Sequence, residues 1–142
     1  MQSIAFAAPL LPGKTEADLE AMASVSNGQR RAEHEASRRR AGIKRESVWL
    51  QRTPDGDVVV VLIEADDVQA AMGTLATSQE PFDVWFRDHI KDAHGMDMAE
   101  GFPPPEQFYT CSLEKFAGSP PPPLAHPCGP CCEGARRCRT RV

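Results

Sequence analysis

Aromatic residues are scarce in this chain, at 6% of the sequence, so each one has to be accounted for by packing or by binding. Long apolar runs are missing too: none reaches the roughly 18–20 residues needed to span a bilayer, and no membrane partner is expected. Positive charge is not in surplus. The net charge of −4 gives no general reason to expect nucleic acid as a partner. There is no P-loop, no dinucleotide fingerprint and no nucleophile elbow. Ser/His/Asp and Cys/His catalysis leave no spacing signature. The opening MQSIAFAAPLLPG is apolar but lacks the basic segment of a signal peptide. A cytoplasmic location is therefore expected, where thiols stay reduced and a disulfide framework does not form.

What is present suits one globular domain. The 142 residues are 41% hydrophobic and 25% charged. Charge divides unevenly: residues 1–116 carry 12 basic and 19 acidic groups, a net of −7, whereas residues 117–142 carry four and one, a net of +3. The composition change marks a folded body, 1–116, and an appended Pro/Cys-rich tail, 117–142, read as disordered. GSPPPP at 118–123 is an extended polyproline linker between them.

Periodicity gives the elements of the body. Residues 2–10 alternate as a first strand and Pro12-Gly13 ends it. TEAD at 15–18 fits a capping box with Thr15 as N-cap. One helix is expected from there to Arg40, with Gly42 just past its end and Asn27-Gly28 as a weak point. ESVWLQR at 46–52 and VVVVLIEA at 58–65 are strands joined by the turn TPDGD. The second of these is β-branched on both faces and should be central and covered on both sides. Asp66 or Asp67 caps a further helix, and Ser78 caps another at 80–94 with Pro81 in its first turn. QFYTCSL at 107–113 can be a fourth strand, in which Cys111 is a small buried residue. The order, β-α-β-β-α(α)-β, predicts an α+β, ferredoxin-like βαββαβ fold with an extra helix and an antiparallel sheet. Helices would cover one face of that sheet, and a second copy of the chain is the economical cover for the other.

Three stretches, RRAEHEASRRRAGI at 30–43, VWLQRTPDGDVVVVLIEADD at 48–67 and PFDVWFRDHIKDAHGMDM at 81–98, together with the strand-helix opening, resemble the dimeric α/β-barrel (ferredoxin-like) superfamily. More narrowly, the chain is similar to an uncharacterised small bacterial group within it. The resemblance covers about residues 1–116 and leaves the tail out. The superfamily includes antibiotic-biosynthesis-type monooxygenases, haem-degrading enzymes, chlorite dismutase relatives, stress-response ligand binders and effector domains of transcription regulators. It implies a homodimeric barrel with a pocket between helices and sheet, and it implies no particular reaction.

The first long helix carries an inner stripe, Leu19, Ala23, Ser26, Arg30, His34, Ser37 and Ala41, that starts apolar and turns polar. A buried charge needs a partner. In one reading Arg30 pairs with Glu33 or Glu64 and His34 donates to a backbone carbonyl. In the other the two line a pocket, Arg30 as an anion clamp and His34 as acid/base. His89 shares the face of Trp85 and Phe86 and is a satisfied core histidine, a second acid/base candidate or a haem ligand. His89 and His94 are five residues apart and cannot form the i, i+4 metal pair. His94 reads as a helix-end cap beside Gly95. Trp49, Trp85 and Phe86 are the natural walls of a ligand site. SRRR at 37–40 reads as a solvated helix end.

The expected function is a small-molecule-binding or monooxygenase-like homodimer. No cofactor is predicted, and haem and zinc are left open as alternatives. The alternative places function in the tail, where Cys128, Cys131, Cys132 and Cys138 with His126 form a weak metal-site candidate or a modification substrate.

Overall fold

A computed structural model describes residues 1–101, 103–111 and 113. The chain divides into two units, Met1–Glu106 and Gln107–Val142. Among the described residues the first holds all the regular structure: β1 (Gln2–Pro9), α1 (Thr15–Ser26), α2 (Arg31–Arg40), β2 (Ile43–Thr53), β3 (Gly56–Ala65), α3 (Val68–Thr77) and α4 (Pro81–His94). In the second, residues 107–111 and 113 take no regular structure, so the expected fourth strand does not form there, and Cys111 is exposed rather than buried. The cysteine and histidine candidates of the tail, Cys128, Cys131, Cys132, Cys138 and His126, lie outside the described residues.

The sheet order is β1-β3-β2, with β3 antiparallel to both neighbours. β1 and β2 therefore run parallel, and α1 with α2 is the crossover of a βαβ unit into which β3 is inserted. This is an α+β fold, an open three-stranded antiparallel sheet with four helices. β3 is central, as its β-branched run requires.

Pairing fixes the two faces. Ile4, Phe6 and Ala8 lie opposite Ile63, Val61 and Val59. On the far side Glu46, Val48 and Leu50 meet the same three residues. This face packs beneath the helices: Ile63 and Ala65 join Val68, Ala71 and Leu75 of α3 and Ala41 in one buried cluster. The other face carries Ala5, Ala7, Trp49, Val58, Val60 and Leu62, and among the described residues no helix covers it. Trp49 is 52% exposed there.

The long first helix is two helices. A Cβ at Gly28 would lie 2.8 Å from Ser24 Cα and 2.9 Å from Ser24 O. Arg30 N instead donates to Ser24 O, at 3.0 Å, as the chain folds back on α1. The capping box does not form: Lys14 is the N-cap residue, and the Thr15 hydroxyl donates to Asp57 Oδ2 at 2.7 Å, a tertiary tie in place of a local one. Asp67 does cap α3 through Ala70 N. Glu80 precedes α4, while the Ser78 hydroxyl donates to Asp83. Asp83 also accepts from Ser37 and Arg40 of α2. These donors outweigh the burial that would raise its pKa and hold it below the usual carboxylate range, so α2 and α4 are clamped together through one ionised group.

Candidate functional site

Between the helix layer and the sheet lies a cavity of about 500 Å³. Its floor is the helix-side face of the strands, including Phe6, Val59, Val61 and Leu50. Its roof includes Leu19 and Met22 of α1 and Phe86 and Ile90 of α4. Four of the chain's five methionines line it: Met22, Met72, Met96 and Met98. Thioether side chains are unbranched and polarisable, so such a wall adapts to the shape of what enters. Two polar clusters interrupt this lining.

The first joins α2 to β2. His34 Nε2 lies 3.1 Å from Glu46 Oε2. Arg38 donates to the same carboxylate twice, from Nε at 2.7 Å and from Nη2 at 3.2 Å. Its guanidinium lies over the Phe86 ring, 4.4 Å from the centroid. Burial alone would raise the Glu46 pKa; the His34 hydrogen bond and the Arg38 charge outweigh it and bring it down to about 2. Glu46 is thus ionised, accepts from His34 Nε2–H and fixes the ring. His34 lines the cavity, and its Nδ1 then has no protein partner among the described residues, which is what an acid/base or hydrogen-bonding group needs.

Glu46 reaches this site through a β-bulge. Ile43 pairs with Ala65 and Arg45 with Glu64, so Lys44 is an extra residue. The bulge puts Ile43 and Glu46 on the same face although they are three apart. Without it, the face of Ile43 would continue through Arg45, Ser47 and Trp49.

The second cluster joins α1, α4 and β1. Asp18 Oδ1 is 2.7 Å from His89 Nε2 and 3.9 Å from His94 Nε2. His94 Nδ1 donates to Pro9 O at 3.1 Å. Asp18 and His94 are buried at the cavity wall, whereas His89 stands behind Asp18 and does not line the cavity.

The sequence candidates therefore separate into two groups. His34, Trp49 and Phe86 border the cavity. Arg30, Trp85 and His89 do not; they form a stack on α4's outer flank, with the Arg30 guanidinium 3.9 Å from the Trp85 ring and Trp85 stacked on His89 at 5.8 Å. Arg30 lies 3.6 Å from Glu33, the first of its two expected partners, and is not placed to clamp an anion in the cavity. His34 meets Glu46 rather than a backbone carbonyl. His94 stands at the end of α4 before Gly95, as expected, and is also a buried wall residue. Sequence reasoning missed Asp18, Arg38, Glu46 and His94 as site members. Arg38 looked like part of a solvated basic run, yet its side chain is 8% exposed.

Among the described residues no group of histidine, cysteine and carboxylate side chains is arranged to hold a metal ion, and no helix is long and apolar enough to cross a membrane. No known family model, curated protein or solved structure matches this chain.

Proposed function

We propose that the protein is a homodimeric binder of small apolar molecules, built on the dimeric α/β-barrel plan, with the cavity beneath α1 and α4 as its site. The observation that carries this reading is the cavity itself: about 500 Å³ of apolar space with an oriented histidine at its wall. The split βαβ topology supports the ferredoxin-like plan. The apolar sheet face around Val60 and Leu62 supports a second copy as its cover. In the monooxygenase-like form of the same reading, His34 takes a proton from the bound molecule while Glu46 holds the ring.

The test is a nuclear magnetic resonance titration of the full chain with toluene. Saturable shifts at Phe6, Val59 and Leu50, lost in Leu19→Trp, which fills the space, are the expected result. Absence of any saturable shift for apolar probes overturns the reading. His34→Ala should lower affinity or turnover for a hydrogen-bonding ligand while the melting temperature holds.

A further inference from the structure

The two polar clusters stand at opposite ends of the cavity, and two independent rulers give their separation. His34 packs against Phe82 at the start of α4, with ring centroids 6.1 Å apart, and His94 ends the same helix. Twelve residues of helix span about 18 Å. Along the sheet, Glu46 lies opposite Ile63, while Pro9, which holds His94, lies opposite Val58. Five residues of strand span about 17 Å. A cavity about 17 Å long between these ends is elongated, a shape that suits a chain better than a globular ligand. Between the ends the wall is hydrocarbon and thioether.

The ends differ in what they can receive. At the His34 end, the cation Arg38 is spent on Glu46 and the carboxylate on Arg38 and His34. No free positive charge is left there for an anionic head. At the other end the Asp18 side chain is 5% exposed, and its hydrogen bond runs from Oδ1 to His89. Asp18 Oδ2 has no partner among the described residues, and Asp18 lines the cavity. His94 gives its Nδ1–H to the Pro9 carbonyl, and its Nε2 lies 3.9 Å from Asp18 Oδ1. The unpaired Asp18 Oδ2 is thus a buried acceptor at the cavity wall, and a donor placed there satisfies it.

We infer that the cavity takes a single-chain amphiphile whose hydrogen-bond-donating head, a primary hydroxyl or ammonium, sits at Asp18 and His94 and whose hydrocarbon runs toward His34. The inference rests on the cavity-binding reading above and adds chain shape and head chemistry to it. Fatty carboxylates are disfavoured, because their head would meet the Asp18 carboxylate at one end and a neutralised arginine at the other.

The test is isothermal titration calorimetry of the wild-type full chain, below micelle formation, with dodecanol, dodecylamine, dodecanoate and hexanol. Dodecanol or dodecylamine should bind at least tenfold more tightly than both dodecanoate and hexanol, and the stronger of the two identifies the head. Asp18→Asn, checked for folding by circular dichroism, should bring the best ligand within about threefold of dodecanoate. Dodecanoate binding as tightly as the alcohol and amine, or hexanol as tightly as dodecanol, overturns the inference. If toluene still binds in either case, the broader cavity reading stands. If no probe binds, toluene included, both fall.

Discussion

His34 and Glu46 meet at 3.1 Å across the gap between α2 and β2, and each fixes what the other can do. The carboxylate determines which imidazole nitrogen is left for another partner. The imidazole, with Arg38, allows a carboxylate to remain ionised in a half-buried position beneath a helix layer. Glu46 would not sit there without the bulge at Lys44, which turns it inward.

The Glu46–Arg38 pair should be expensive to break from one side. The Arg38 and Glu46 side chains are 8% and 15% exposed. Glu46→Ala leaves a buried guanidinium without its bidentate acceptor and is expected to cost about 3 kcal/mol, whereas Glu46→Gln, which keeps an acceptor, should cost less. Urea denaturation of the three chains measures both. Equal stability of wild type and Glu46→Ala would show that the pair contributes nothing.

Acid should weaken the fold through the same residue. Glu46 has an ordinary pKa near 4.5 when unfolded and one of about 2 when folded. Its contribution is fully present above pH 4.5 and is lost as pH falls through about 2, since the unfolded chain binds the proton first. The difference amounts to about 3 kcal/mol. Stability measured between those pH values should fall more steeply for wild type than for Glu46→Gln. Parallel curves would show that Glu46 is not held ionised by its partners.

Much of the sheet was legible in the sequence. The turn at TPDGD and the β-branched run 58–65 determine the β2–β3 hairpin, and α4 follows from its proline start and its glycine end. The site was less legible, for three physical reasons. The bulge at Lys44 shifts the alternation of β2 by one residue, and that shift alone decides that Glu46 rather than Trp49 lies on the helix-side face. The break at Gly28 comes from a backbone contact with Ser24, and it leaves Arg30 at the start of a new helix rather than on the inner stripe of an old one. Asp18 is a member of the site because His89, 71 residues away, lies opposite it, and no local pattern encodes that meeting. His34 lines the cavity, and His94 ends α4 before Gly95 as the sequence indicates, but no local pattern encodes its burial.

Arg30 should matter for packing and not for the cavity. Its guanidinium lies 3.9 Å from the Trp85 ring centroid and away from the cavity lining. Arg30→Met keeps the apolar stem over the ring and removes the charge. The expected cost is about 1 kcal/mol, with a changed Trp85 emission and an unchanged toluene affinity. Loss of toluene binding in this variant would return Arg30 to the site.

Val60 tests the proposed second copy. It pairs with Ala7 on one side and Trp49 on the other, at the centre of the sheet face that carries no helix. If two copies meet there, Val60→Lys places like charges opposite one another in an apolar contact and should convert the dimer to a monomer by light scattering. If the face is solvated in a single copy, the lysine stem can lie on the sheet with its ammonium in water, and mass and stability should both hold to within about 0.5 kcal/mol. A wild-type mass equal to one chain at every concentration, together with that tolerance, would leave the half-bare sheet as the native state and remove the homodimer from the proposal.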